Sequence, residues 1–472
     1  MANIDQNIVI IALPSIGKDL TGMTPIDSIW VVIGYQLILA AGLVNFGRLG
    51  DIFGRVKLYN LGFIIFTLAS AVCSLSQTGF ELVIFRCLQG VGASLLNANS
   101  SAIVTDSFPI NERGRALSVN NIGGASGQAL GLVLGGILVG TLGWRSIFWV
   151  NIPIGVFAVV LSHYHLRELG QINRKQKIDI AGNATFLAGM ILLLASVTFY
   201  AVSLLSRTSI VVLSITGVLV MALFVYIESR TRDPMIDLKL FRIPSLALGN
   251  IASFLSNLAR GAVLLVIALY LEGPTMNLSP ITAGLFTLPF PIAIVLVAPI
   301  GGYLSDRHGQ KILTTTGALV TASGCVFIAQ FSATATFGQI AIGLILVGAG
   351  VGLFVTPNRA SVMNSAPAAQ RGVASGLYQT FVQIGSACSR AFAFVIMGLI
   401  LTSTNVNELF NGTLRSGSPL ISGELVSAVH LIFYASAIVL IIAAAISALR
   451  VSTFKYSRNL SGNRNMDAEG VI

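Results

Sequence analysis

The sequence predicts an all-α polytopic membrane protein, and three observations point there. Hydrophobic residues make up 54% of the chain and charged residues only 10%, whereas a soluble domain carries about a quarter charged residues. Apolar runs long enough to cross a roughly 30 Å hydrocarbon core as helix recur almost from end to end. Basic residues sort onto alternate loops. A soluble fold is excluded.

Taken in order, the predicted spans are Asp27 to Leu49, Leu58 to Leu75, Phe80 to Val104, Ala116 to Leu142, Ile147 to Leu166, Ile178 to Leu205 and Ile210 to Ile227. After a polar stretch come Leu246 to Leu271, Thr282 to Leu304, Ile312 to Phe331, Phe337 to Val355, Val373 to Leu401 and Leu425 to Leu449. Pro289, Pro291 and Pro299 each remove a backbone donor from one of these spans, which is expected to bend or break there. A fourteenth candidate, Met1 to Ile16, is mostly apolar but reaches only about 24 Å at 1.5 Å per residue. It reads as an incomplete first helix, and it lacks the basic n-region and small-residue cleavage site of a signal peptide. The native reading frame is therefore expected to begin roughly ten to fifteen residues upstream, the length a full span needs.

Of the 28 Lys and Arg residues, 21 fall on one set of loops and the tail, against four on the other side, Lys18, Arg145, Arg207 and Arg415. Arg86, Arg260 and Arg390 lie within spans. The positive-inside rule then places both termini in the cytoplasm, which requires an even helix count and favours fourteen. The net charge of +10 has the same origin; being scattered over short loops, it implies no nucleic acid. Cys73, Cys87, Cys325 and Cys388 stand in spans at unrelated spacings, so neither a disulfide framework nor a metal site is expected.

The chain repeats itself. Gly47 to Lys57, GRLGDIFGRVK, returns as GYLSDRHGQK at Gly302 to Lys311; Gly90-Val91-Gly92 returns at Gly350-Val351-Gly352, and Arg113-Gly114 at Arg371-Gly372. Offsets of 255 to 260 residues put two halves in register, with the pair Ile178 to Leu205 and Ile210 to Ile227 inserted between them. The expected bodies are residues 1–168, a linker with two extra helices at 169–243, residues 244–450, and a cytoplasmic tail at 451–472.

At this point the chain resembles the fourteen-helix drug:proton antiporters of the major facilitator superfamily, over essentially its whole length. The loop Gly47 to Lys57 matches the superfamily signature at Gly47, Leu49, Asp51, Gly54, Arg55 and Lys57, with Ile52 where a basic residue is usual. The resemblance implies a gating latch of Gly47, Asp51, Gly54 and Arg55, repeated at Asp306 and Arg307; Asp51 can pair with Arg55 or with a positive helix end. Leu82 to Ser94, LVIFRCLQGVGAS, matches the family motif whose arginine is assigned to proton transfer, here Arg86 with Gln89. Arginine stays charged, so its role would be to act on the proton affinity of a nearby carboxylate. That carboxylate is Asp5, in IDQNIVIIALP, which resembles the family's first-helix element, although Asn7 and Ile10 depart from it. Acidic residues in spans are the usual proton carriers. On the present start Asp5 falls near the cytoplasmic surface.

Gly127, Gly131, Gly135 and Gly136 resemble the antiporter signature of the fifth helix, a small-residue stripe that lets a neighbour pack closely, with Leu132 in place of its proline. Asp179 opens the first extra helix either as a family element or as a plain N-cap. Tyr35, Gln36, Asn97, Gln128, Arg260, Gln379, Gln383 and Arg390 are the polar candidates for a substrate cavity.

The resemblance implies proton-coupled efflux of drugs or other amphipathic small molecules by alternating access, in the cell membrane, by a monomer without cofactor. The alternative is a proton symporter or uniporter for a nutrient, kept open by Leu132. No nucleotide-binding loop appears, so ATP is not the expected energy source. A sensor or enzyme on this scaffold would need a soluble domain or metal cluster, and a channel would need a selectivity filter; neither pattern is present.

Overall fold

The computed structural model describes residues 1–20, 22–108, 113–169, 179–201, 205–231, 234, 236, 238–366, 371–401 and 419–450. Among these residues there are seventeen α-helices and no strand. They are α1 (Ala2–Asp19), α2 (Pro25–Phe53), α3 (Arg55–Leu75), α4 (Gly79–Ser107), α5 (Arg113–Leu142), α6 (Ser146–Trp149), α7 (Asn151–His165), α8 (Ile180–Ala201) and α9 (Arg207–Arg230). They continue with α10 (Pro244–Arg260), α11 (Val263–Glu272), α12 (Pro280–Thr287), α13 (Pro289–His308), α14 (Gln310–Ile328), α15 (Phe337–Ser365), α16 (Arg371–Ile400) and α17 (Pro419–Ala448). The expected tail at 451–472 lies outside the described residues, as do parts of the linker expected at 169–243.

The helix starts follow from local chemistry. Thr24 with Asp27, Thr78 with Glu81 and Thr336 with Gln339 form capping boxes at α2, α4 and α15, so each supplies acceptors to amides that have no helical partner. Proline opens α2, α10, α12 and α13, where its missing N–H costs nothing. Asp179 accepts from the Gly182 amide at 2.7 Å, capping α8.

Twelve stretches among the described residues are long and apolar enough to cross a membrane, with α6–α7, α10–α11 and α12–α13 each making one broken span. Adding α1, 18 residues or about 27 Å, and α5, 30 residues, gives the expected fourteen. The break before Pro289 is the one the prolines forecast. A second break, at Gly261–Ala262, was not expected from the apolar run Leu246 to Leu271. The predicted span ending at Phe331 stops as helix at Ile328.

The repeat is built into the backbone. Gly54 (φ 106) joins α2 to α3 and Gly309 (φ 89) joins α13 to α14, 255 residues apart, both in a region that a side chain would strain. Packing shifts one expected register by two residues, pairing Gly90 with Gly348 and Gly92 with Gly350: the Cβ position of Gly90 lies 2.7 Å from the Tyr35 carbonyl on α2 and that of Gly348 2.4 Å from the Phe290 carbonyl on α13, while Gly92 meets Phe66 on α3 and Gly350 meets Thr321 on α14. The inserted α8–α9 pair closes on itself through Phe186 and Phe224, 5.3 Å apart. α8 lies against both α2 and α16, and α9 turns Val212, Val218 and Leu219 outward, as a lipid-facing helix does.

Candidate functional site

The structure brings Asp5, Arg86 and Gln89 together. Arg86 (1% exposed), on α4, donates from Nη1 to Asp5 Oδ2 at 2.5 Å; Asp5 (0%) is on α1. Asp5 is not a solvent-exposed N-terminal residue: α1 packs along α5, and the carboxylate is completely buried within the bundle. Gln89, one turn beyond Arg86, donates from Nε2 to Asp5 Oδ1 at 2.9 Å and to Ser70 Oγ at 2.7 Å, while its Oε1 accepts from Arg86. Asn151, at the start of α7, donates to Asp5 Oδ1 at 2.9 Å.

The arginine is also held from α2. Its Nε donates to the Val31 carbonyl at 3.2 Å, and its guanidinium carbon sits 4.3 Å from the centre of the Tyr35 ring. Five helices thus converge on one buried ion pair. Asn151 and Ser70 had no sequence signal: they are neutral polar residues in spans, and only the long-range fold places them beside a charge.

Why α1 can lie so close is read from the glycine stripe. A Cβ on Gly131 would stand 2.5 Å from the Ile4 carbonyl, and one on Gly135 would meet Ile8 at 3.0 Å. Gly136 instead meets α12, its Cβ position 2.6 Å from the Pro280 carbonyl. The stripe therefore seats Asp5 on one side and joins the two repeats on the other. The side chains of Leu132 and Gln128 lie outside the described residues.

At the Gly54 turn, Arg55 donates from Nε and Nη2 to Asp51 Oδ1 at 2.9 and 2.7 Å, and from Nη1 to Asp106 Oδ2 at 2.6 Å. The N-terminus of α3 is capped by Glu168, which accepts from the amides of Arg55 and Val56 at 3.0 and 2.9 Å. Asp51 pairs with the arginine, and Glu168 takes the positive helix end; neither Asp106 nor Glu168 was expected. Arg55, Asp51 and Asp106 are about a quarter exposed, so each ion pair contributes about 0–1 kcal/mol. In the second copy Arg307 stacks 4.6 Å over Tyr303, and the side chain of Asp306 lies outside the described residues.

Of the cavity candidates, Gln36 on α2 accepts from Arg390 Nη1 on α16, a bond across the seam between repeats. Gln379, Gln383 and Arg390 share one face of α16 with Ser386, at helical spacing. Asn97 turns its amide back to the Ala93 carbonyl at 2.9 Å. Arg260 ends α10 at the Gly261–Ala262 break.

The profile of the Major Facilitator Superfamily matches residues 1–235 and 249–465. The riboflavin transporter RibZ of Clostridioides difficile (strain 630) is 35% identical over 396 residues, 83% of this chain and 84% of that protein. The multidrug resistance protein Stp of Mycobacterium tuberculosis (strain CDC 1551 / Oshkosh) is 32% identical over 406 residues, 85% and 74% of the two chains. Among solved structures, a bacterial homologue of the human lysosomal transporter Spinster, in an inward-facing unoccupied conformation, superposes with a TM-score of 0.62 at 18% identity, covering 95% of this chain and 93% of that one.

Proposed function

This chain belongs to the Major Facilitator Superfamily and is a membrane transporter of small molecules; from that premise we propose that it exchanges protons for amphipathic compounds by alternating access, moving them out of the cell. The observation that supports the exchange is the buried Asp5–Arg86 pair with Gln89 and Asn151 around it. A proton on Asp5 removes the negative partner of a guanidinium that is buried in the bundle. Breaking such a pair from one side costs about 3–5 kcal/mol. Moving a two-state equilibrium from 1:99 to 99:1 takes about 5.5 kcal/mol. Protonation of this one carboxylate is therefore of the right size to tip the transporter between its two faces. One proton moving down about 100 mV releases roughly 2.3 kcal/mol, a fifty-fold gradient of a neutral substrate.

In this reading the loops rich in Arg and Lys, and both termini, face the cytoplasm. The bodies are residues 1–168 and 244–450, with 169–243 as an inserted linker, in a monomer. The Arg55 cluster ties α2, α3 and α4 together at the Gly54 turn, so that this end of the first repeat moves as one body when the repeats rock. Relatives named for multidrug resistance support the efflux direction. A second reading, import of a nutrient by symport or uniport, is favoured by Leu132 at the signature's proline and by the riboflavin transporter relative.

Purified protein in liposomes decides between them. With an imposed pH gradient, exchange predicts that substrate moves against the proton flow and that Asp5→Asn uncouples it. Substrate moving with the protons, in right-side-out and not inverted vesicles, would establish the second reading.

A further inference from the structure

The spans hold three arginines, and they are not alike. Arg86 has a carboxylate, whereas Arg390 and Arg260 are in none of the ion pairs Arg86–Asp5, Arg55–Asp51 and Arg55–Asp106. Arg390 is 5% exposed. Its Nη1 reaches Gln36 and, at 3.4 Å, the Ser386 carbonyl, and its Nε has no hydrogen-bond partner among the described residues. Gln36 Nε2 and Arg260 Nε are likewise buried without one. Glu272 stands twelve residues beyond Arg260 with its own Oε1 unpartnered, so it does not answer either cation.

An uncompensated cation in a span is costly and is kept where something else supplies the negative charge. The setting is a built one. Arg390 ends a polar face of α16 whose other members, Gln379, Gln383 and Ser386, are half-buried. Across from it the α10–α11 break closes on the same helix, where Ser389 Oγ accepts from the Ala262 amide at 2.9 Å and the Cβ position of Gly261 lies 2.7 Å from Ser386 Cα. A broken helix beside unpaired polar groups at the join of two repeats is where transporters of this kind seat their ligands. The neighbouring turns are apolar, with Ile33, Leu37, Ala391 and Phe394 buried, which suits an organic molecule more than a bare inorganic ion.

We infer that Arg390, with Gln36 across the seam and the Gly261–Ala262 helix break beside it, forms an anion-reading subsite, so that the transported molecules are amphipathic organic anions. This deepens the transport reading and rests on it. The planar guanidinium binds a carboxylate, phosphate or sulfonate edge-on, and a cation without a carboxylate partner repels a lipophilic cation.

The test is binding to the purified full chain in detergent at neutral pH, using three fluorescent probes that share a tail and differ in the head: pyrenebutanoate, pyrenebutanol and pyrenebutyl-trimethylammonium. The carboxylate is expected to bind about tenfold or more tighter than the alcohol, the scale of a hydrogen bond to a charged group, and the ammonium weakest. Arg390→Gln should bring the carboxylate down to the alcohol's affinity and Arg390→Lys should keep part of the gap. Equal binding of the three heads in the unaltered protein, a preference for the ammonium, or an Arg390→Gln variant with unchanged carboxylate affinity would overturn the proposal. Inorganic phosphate that displaces pyrenebutanoate at low concentration would overturn the organic class. Anion preference without proton-coupled movement in vesicles would leave the subsite standing and remove the exchange; proton-coupled movement without anion preference would do the reverse.

Discussion

Asp5 and Arg86 can be removed singly and together. Asp5→Asn keeps the shape and an acceptor oxygen for Arg86, but leaves a guanidinium that is 1% exposed facing a neutral group. Arg86→Gln leaves a carboxylate at 0% exposure with two amide donors, from Gln89 and Asn151. Each single change strands a buried charge, so each is expected to cost about 3–5 kcal/mol, less whatever the remaining donors recover. Asp5→Asn is the milder, since Arg86 keeps the Val31 carbonyl, Gln89 and the Tyr35 ring. The double variant buries no charge and is expected to be more stable than the sum of the singles predicts by at least about 2 kcal/mol. Denaturant unfolding in micelles, followed by intrinsic fluorescence, measures all four corners of this cycle. Additivity within about 0.5 kcal/mol would mean the two charges do not meet, and the coupling assignment would fail with them.

Arg86→Ala is expected to leave the protein folded and inserted while abolishing pH-driven transport; normal uptake in vesicles carrying it would refute the role given to Arg86. Asp51→Asn and Asp306→Asn are expected to slow turnover with substrate affinity unchanged, at a stability change no larger than about 1 kcal/mol; lost binding with an unaltered conformational equilibrium would remove the latch. Gly131→Ala forces a methyl to within 2.5 Å of the Ile4 carbonyl and is expected to cost about 1–3 kcal/mol and most transport, whereas Gly127→Ala meets its nearest atom at 3.4 Å and is expected to be mild. Equal thermal stability and activity of the two glycine variants would show that α1 does not lie on the stripe as described.

Helices were legible because their signals are local. Apolar length, the Thr24, Thr78 and Thr336 caps and the prolines at helix starts act within a few residues, and the repeat announced the equivalent turns at Gly54 and Gly309. Charge in a span is rare enough to mark Arg86 and Arg390 on sight. Partners were another matter. Asn97 and Asn151 are the same residue type in similar apolar surroundings, yet one bonds back along its own helix and the other completes the Asp5 shell from 146 positions away. Glu168 and Asp106 looked like ordinary polar residues at helix ends, because capping another helix and pairing with its arginine depend on where three chain segments meet. Nor did Gly261 show as a break, since one glycine in an apolar run fits an unbroken helix equally well.

Two adjacent residues of α2 touch both buried arginines. Tyr35 faces Arg86 of the first repeat and Gln36 binds Arg390 of the second, and neighbours on a helix point about 100° apart. A movement of α2 therefore acts on both contacts at once. In the proposed exchanger, a proton on Asp5 leaves the Arg86 guanidinium to the Val31 carbonyl, Gln89 and the Tyr35 ring, two of which are on α2. That strengthens the hold on α2 from one side at the moment when an anion at Arg390 competes with Gln36 from the other. Coupling energies between ligand sites are typically 1–3 kcal/mol, within what a disrupted buried ion pair supplies. One helix turn shared by two cations thus gives proton and substrate a route to sense each other, and the sign is measurable in the proposed exchanger: pyrenebutanoate affinity that falls when Asp5 is protonated is the requirement for exchange, and affinity that rises would mean symport.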